Sequence, residues 1–318
     1  MRLEDIKKVG VCGAGTMGFG IALNFALWGY PTTIYDLNDA ILQRSLKNIE
    51  SALDLFVQEK LITPKRAGKA LKRISATSDL ARVASNSDFI TEAIIERSAD
   101  KRELFNKLDQ LCPPHTIIVS NTSYLVVSDF GAEVKRQDKI ALTHYFAPAH
   151  IVPGVEVAKG PGTSEESYNL TFELMKKIKK IPIRILKERP GYLLNTIQAA
   201  LSREANRMWA EGVASAEDIE LGIKTTFGFR MPHEGPMLHY DVSGVWKWPK
   251  EVRMAMPSEQ AGKETPISDE AARKIRERGE EGKTWFIDPQ KFDEAIEKRD
   301  REYIRRLKEL YPYKEQAV

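Results

Sequence analysis

Cysteine is scarce in this chain of 318 residues: Cys12 and Cys112 are the only two. That excludes a disulfide framework and any thiolate metal cluster, since both need several cysteines at short spacings. No run reaches the ~18 apolar residues of a membrane helix, so no membrane partner is expected. The opening Met-Arg-Leu-Glu-Asp-Ile-Lys-Lys leads into a short, glycine-broken apolar run, unlike a secretory leader. The expectation is a cytoplasmic, reduced protein. Charge of one sign is also lacking. The 48 Lys and Arg offset 45 Asp and Glu to leave +3, too little to argue for a nucleic-acid partner. What remains is ordinary for a folded protein, 42% hydrophobic and 29% charged, with length enough for two domains.

The first strong pattern lies near the start. Residues 6–12 read as a strand, Gly13-Ala-Gly15-Thr16-Met17-Gly18 as a tight turn, and the apolar run to Gly29 as a helix. A second strand, Thr32-Thr-Ile-Tyr, ends at Asp36, eighteen residues beyond Gly18. A glycine triplet alone means little. Strand, turn, helix, strand and terminal acid in one βαβ unit point to a dinucleotide, with the pyrophosphate on backbone N–H groups at a helix N-terminus. Asp36 suits the adenosine ribose hydroxyls and repels a 2′-phosphate. Neither Leu37 nor Asn38 supplies a compensating cation, so NAD is the expected cofactor.

Residues 38–73 read as a charged helical stretch interrupted at Thr63-Pro64. Lys60, Lys65, Arg66, Lys69, Lys72 and Arg73 give its end one sign, with room for an anionic ligand, although such runs are more often solvated faces. The α/β alternation then resumes with a strand at 88–91, a helix at 101–111 and a strand at 116–119. Glu92 to Glu96 and Ser120-Asn-Thr-Ser123 each follow a strand end, where open parallel sheets bind ligands. In Ile140-Ala-Leu-Thr-His144 and the run that carries Glu156, twelve residues later, a chain leaves a strand, loops and returns. That return can set a carboxylate against an imidazole, fixing its tautomer and making the other ring nitrogen a proton acceptor. The same spacing also suits a structural histidine beside an unrelated Glu.

A helix near 164–179 and a strand at 181–186 close a Rossmann-type α/β domain over residues 1–187. An all-α C-terminal domain over 188–318 is expected after it. Pro190-Gly-Tyr-Leu-Leu-Asn195 opens a long helix in which Asn195 sits mid-helix, unfavourable unless its amide has a partner. His233, Glu234, His239 and Asp241 match no standard ligand spacing, and no metal is expected.

Taken together, Gly13 to Gly18, Glu92-Ala93-Ile-Ile-Glu96, Ser120 to Ser123, the His144–Glu156 spacing, Pro190 to Asn195, Glu211 to Glu220, Gly235-Pro236 and Lys283-Thr284 resemble the L-3-hydroxyacyl-CoA dehydrogenase family over essentially the whole chain. The resemblance implies a (3S)-3-hydroxyacyl-CoA oxidised to its 3-ketoacyl-CoA by hydride transfer to NAD, in a homodimer formed through the helical domain. It implies that His144 is the base and Glu156 its orienting partner, while Ser123 and Asn195 hold the substrate oxygen. Gly13, Gly15, Thr16, Met17, Gly18, Asp36, Ala93, Glu96 and Lys101 would line the NAD site, with Lys283 a looser match. The part of the chain carrying Lys60, Lys65, Arg66 and Lys69 is where the family folds over the CoA tail.

The chemistry agrees with those roles. Oxidising a secondary alcohol needs a base in reach of the hydroxyl, and neutral donors such as Ser and Asn suit the developing alkoxide. The departures concern the substrate. Ala147 replaces an Asn of the family's His-Phe-Phe-Asn-Pro, Glu59 stands where a CoA-binding Lys is frequent, and 229–236 is reshaped. A free 3-hydroxy acid or other small secondary alcohol is therefore the alternative substrate. A non-catalytic, crystallin-like relative is the alternative of another class, disfavoured by the intact Ser123, His144, Glu156 and Asn195.

Overall fold

The computed structural model describes residues 1–255 and 268–310; of the helical region read to 318, residues 256–267 and 311–318 lie outside the described residues. By contact the chain divides into two units, one of residues 1–202 and one from 203 onward.

The first unit is built on an eight-stranded sheet. Its strands are β1 (Val9–Cys12), β2 (Thr32–Tyr35), β3 (Ile74–Thr77), β4 (Phe89–Glu92), β5 (Ile117–Ser120), β6 (Ile140–Tyr145), β7 (Gly154–Lys159) and β8 (Ile181–Ile185). They lie in the order β3-β2-β1-β4-β5-β6-β7-β8, parallel except where β6 meets β7 antiparallel. β1 and β4 to β6 are buried at every position, as expected of strands covered on both faces. The covering helices are α1 (Gly18–Leu27), α2 (Asp39–Gln58), α3 (Pro64–Leu71), α4 (Leu80–Ala84), α5 (Ser98–Leu111), α6 (Val127–Gly131) and α7 (Glu165–Lys177), followed by α8 (Leu194–Ala210).

Local chemistry sets the boundaries. Asn38 caps α2 through the Ala40 and Ile41 amides, Thr63 caps α3 with Pro64 in its first turn, and Ser164 caps α7. α1 differs: no side chain caps it, and it is apolar all round, with Ile21, Leu23 and Phe25 fully buried. Burying each such side chain stabilises the fold by about 1.5–3 kcal/mol. Edge strand β3 escapes a pattern reading because Ile-Ser-Ala-Thr is short and only partly buried.

The contact division at 202/203 falls after the expected boundary at 187/188, and the segment between is tied to the first unit. Residues 188–195 bond back into the first unit: Glu188 accepts from the Ser128 hydroxyl and the Tyr192 hydroxyl donates to the Leu125 carbonyl at 2.8 Å. α8 begins at Leu194, so Asn195 lies in its first turn and not mid-helix.

The second unit holds the rest of α8 and α9 (Ala216–Thr225), α10 (Phe227–Arg230), α11 (Pro236–Val242), α12 (Lys250–Met254), α13 (Asp269–Glu281) and α14 (Phe292–Leu310). Its polar keystone is Asp241, fully buried, whose carboxylate accepts the Trp285, Phe286 and Ile287 amides. Among the described residues no helix is long and apolar enough to cross a membrane.

Candidate active site

At the carboxyl end of β1 the backbone turns sharply. Gly13 has φ +107°, and a Cβ there would run into the Ala93 carbonyl, while a Cβ on Gly18 would meet the Gly13 carbonyl. The fold itself therefore requires glycine at 13 and 18. Gly15 is different, because a Cβ there would meet nothing within 4 Å. Its missing side chain leaves open space in front of the uncapped start of α1, with Thr16 and Met17 completing the turn. Asp36, at the end of β2, accepts the Ala14 amide at 2.9 Å and the Asn38 amide at 3.1 Å. Gly13, Gly15, Asp36 and Ala93 line a cleft of about 410 Å³. Arg97 and Lys107 also line it, but each is paired, with Asp100 at 2.5 Å and Glu103 at 2.7 Å. The cleft thus offers a carboxylate and neutralised cations, a setting for ribose hydroxyls and against an added phosphate.

These observations yield a prediction. Gly15→Ala leaves the melting temperature within about 2 °C of wild type and weakens NAD about tenfold or more, because the methyl enters ligand space only. Gly18→Ala, by contrast, prevents folding or lowers the melting temperature by many degrees. Thermal melts beside NADH fluorescence titrations check both, and unchanged NAD affinity in Gly15→Ala would refute the assignment of that space.

Three strands along from β1, the antiparallel pairing of β6 with β7 places His144 directly opposite Glu156. Their side chains are 3% and 0% exposed, and His144 Nδ1 lies 2.7 Å from Glu156 Oε2. The other carboxylate oxygen, Oε1, accepts the Leu193 and Leu194 amides at 3.0 and 2.8 Å. A carboxylate can only accept, so the imidazole faces it with Nδ1–H and Nε2 presents its lone pair. Nε2 makes no hydrogen bond among the described residues. Phe146 packs on the imidazole at 4.4 Å between ring centroids.

Ser123 and Asn195 are also brought together. The Asn195 amide donates to the Ser123 carbonyl at 3.1 Å, which fixes both at the mouth of the β5 loop. That loop is gripped by Glu96, whose Oε1 accepts the Thr122 hydroxyl and the Ser123 and Tyr124 amides at 2.9 and 3.0 Å. Burial raises the Glu96 pKa, but those bonds and Lys101 outweigh it, and the carboxyl titrates below the usual range.

Lys101 is 1% exposed, with Nζ 2.6 Å from Glu92 and 3.3 Å from Glu96. It reaches the site through those carboxylates and presents no open cation. Glu92, read in the sequence as the start of a loop at the ligand-binding edge, was given no role of its own. Its signal was an ionisable group closing an apolar strand, Phe-Ile-Thr-Glu.

The basic run divides in two. Arg66 stacks 4.4 Å over the Trp28 ring and Arg73 donates to the Ala26 carbonyl at 3.1 Å, so both have structural tasks. Lys60, Lys65, Lys69 and Lys72 are exposed, with no ion pair among the described residues. Lys60 lies past the end of α2 with φ 57°, and Ala147 is exposed. Lys283 belongs to the second unit, where it follows left-handed Gly282 and pairs with Glu281. In that unit Glu234 lies 2.7 Å from His239 Nδ1, and among the described residues no three His, Cys, Asp or Glu form a metal-binding group.

Comparison with known proteins bears on the whole arrangement. Residues 8–189 match the family described as "3-hydroxyacyl-CoA dehydrogenase, NAD binding domain", and residues 191–286 its C-terminal domain. Human mitochondrial hydroxyacyl-coenzyme A dehydrogenase is 35% identical over 245 residues, 76% of this chain and 77% of that protein. The structure of (S)-3-hydroxybutyryl-CoA dehydrogenase from Ralstonia eutropha has a TM-score of 0.67 at 29% identity, covering 86% of this chain and 93% of that one. A diketoreductase acting on dicarbonyl compounds has a TM-score of 0.66 at 28% identity, covering 86% and 92%. With both domains matched in order, a dinucleotide turn at β1 and its acid at Asp36, the chain belongs to the 3-hydroxyacyl-CoA dehydrogenase family and is an NAD-dependent oxidoreductase.

Proposed function

We propose that the protein interconverts a (3S)-3-hydroxyacyl-CoA and its 3-ketoacyl-CoA, with His144 as acid and base. The observation that carries this reading is the cross-strand pair: a buried imidazole held by Glu156 at 2.7 Å, with Nε2 unengaged among the described residues. NAD, when bound, accepts the hydride in oxidation and returns it in reduction. His144 Nε2 takes the hydroxyl proton as the carbonyl forms, and Glu156 stabilises the resulting imidazolium through Nδ1–H. Ser123 and Asn195 supply neutral donors to the substrate oxygen, which bears most charge when it is nearest an alkoxide. Gly13 makes the turn, Gly15 and the start of α1 would give the pyrophosphate its amides, Asp36 would take the ribose hydroxyls, and Ala93 walls the cleft. Glu96 and Lys101 set the loop between them.

The names of the relatives support a CoA thioester, and exposed Lys60, Lys65 and Lys69 suit its phosphates. Arg66, committed to Trp28, is the weaker member of that set. The diketoreductase likeness favours the second reading, a small free acid or ketone. Comparing kcat/KM for a thioester and its free acid separates them. For Lys65→Ala/Lys69→Ala/Lys72→Ala we expect thioester kcat/KM to fall roughly tenfold, from about 0.5 kcal/mol per exposed contact. The free acid should be unaffected, and high salt should erode the same preference in wild type. Equal turnover of both substrates, indifferent to the triple substitution, would leave the free-acid reading standing.

A further inference from the structure

Between the cofactor turn and the proton-transfer pair lies a carboxylate with no exposed surface. Glu92 closes β4 with its side chain wholly buried, where an ionised group needs complete pairing. Its Oε1 accepts from Lys101 Nζ at 2.6 Å and from the Ile94 amide at 2.7 Å. Its Oε2 accepts the Ser120 hydroxyl at 2.5 Å, and the Ser120 oxygen accepts the Thr122 amide at 3.1 Å. The backbone repeats the connection: the Glu92 carbonyl accepts the Asn121 amide at 2.7 Å. Asn121 Oδ1 then accepts the Tyr145 amide at 2.9 Å, next in the chain to His144.

Glu92 thus bonds directly to two segments and reaches a third only through Asn121. The turn 93–96 walls the cleft at Gly13, the loop 120–123 carries Ser123, and the end of β6 carries His144. Stability does not explain the choice of side chain. A buried ion pair gains little or nothing over a well-packed apolar pair of the same volume. Its distinctive property is directional: donors from three directions are held at fixed angles.

We propose that Glu92 is a positioning residue, which keeps the cofactor-side turn and the proton-transfer side chains in one register through Lys101 and Ile94 on one side and Ser120 on the other. The claim rests on the roles given above to His144 and Ser123.

Two variants test it. Ser120→Ala cuts the arm to the 120–123 loop without changing any charge. Glu92→Gln removes the charge and loosens both arms. The readouts are NAD affinity by fluorescence titration and the single-turnover rate of NADH formation per folded molecule, with the folded fraction taken from a thermal melt. For Ser120→Ala we expect the single-turnover rate to fall about tenfold with NAD affinity within about twofold of wild type. For Glu92→Gln we expect the same loss of rate and NAD bound about tenfold more weakly. A merely structural residue would lower the folded fraction and leave the rate per folded molecule unchanged, which overturns the proposal. Unchanged NAD affinity in folded Glu92→Gln overturns it as well, and that titration needs no substrate. If Glu92→Gln does not fold, Ser120→Ala decides alone by its rate. The reading of His144 is judged separately, by whether His144→Gln retains turnover.

Discussion

His144→Gln should lower kcat on the order of 10²-fold or more while NAD affinity stays within about twofold of wild type. The glutamine keeps a donor toward Glu156 and a similar volume, so the buried pair remains hydrogen-bonded and the fold is spared. What disappears is a nitrogen able to hold the proton in one direction and give it back in the other. His144 belongs to β6 and the NAD cleft to the ends of β1 and β2, with β4 and β5 between them, which is why binding and chemistry separate. Steady-state kinetics with a NADH titration on the same preparation measures both. Near-normal turnover would mean that the base is another residue.

Glu156 should give the second large effect, and its two substitutions should differ in kind. In Glu156→Gln the amide oxygen can keep the Leu193 and Leu194 amides, and its NH₂ then faces His144 Nδ1. The imidazole answers a donor by accepting, so its proton moves to Nε2, the nitrogen that must be vacant for the alcohol. The expectation is a loss of kcat on the order of 10²-fold with modest loss of stability. Glu156→Leu leaves two buried amides and the Nδ1–H without acceptors, at roughly 1–3 kcal/mol each. Its fold should weaken by about 3 kcal/mol or more, visible in urea unfolding before any assay is run. Full activity in Glu156→Gln would show that His144 needs no orienting carboxylate.

Legibility in the sequence followed the range of the interaction. The β1–turn–α1–β2 unit could be read because its pattern lies within thirty-odd residues, although the close approach of Ala93 to Gly13 was not part of it. The His144–Glu156 pair could be read because one loop returns the chain to its own neighbour. Lys101 shows the opposite case. The resemblance put it in the NAD site, but its burial against Glu92 was not legible, because burial at α5 depends on β4 and β5 packed beside it. The role of Glu92 escaped the sequence for the same reason. Its partners Lys101 and Ser120 lie 9 and 28 residues on, and only the parallel pairing of β4 with β5 brings Ser120 alongside. The basic run was legible as charge, but the stacking of Arg66 on Trp28 was not.

The place of β1 in the sheet has a consequence for synthesis. Cys12 pairs with Tyr35 on one side and with Glu92 on the other, so a fully buried strand precedes the rest of its sheet in the chain and is completed late. At about 5–20 residues per second, the ribosome leaves one edge of β1 without its partner for roughly 4–16 s. That edge is short, apolar and uncharged, the kind that pairs with stray strands. A nascent chain stopped before residue 89 should therefore be a chaperone client and aggregate when released, whereas one extended past β5 should already hold the cofactor cleft, well before His144 and Glu156 have met.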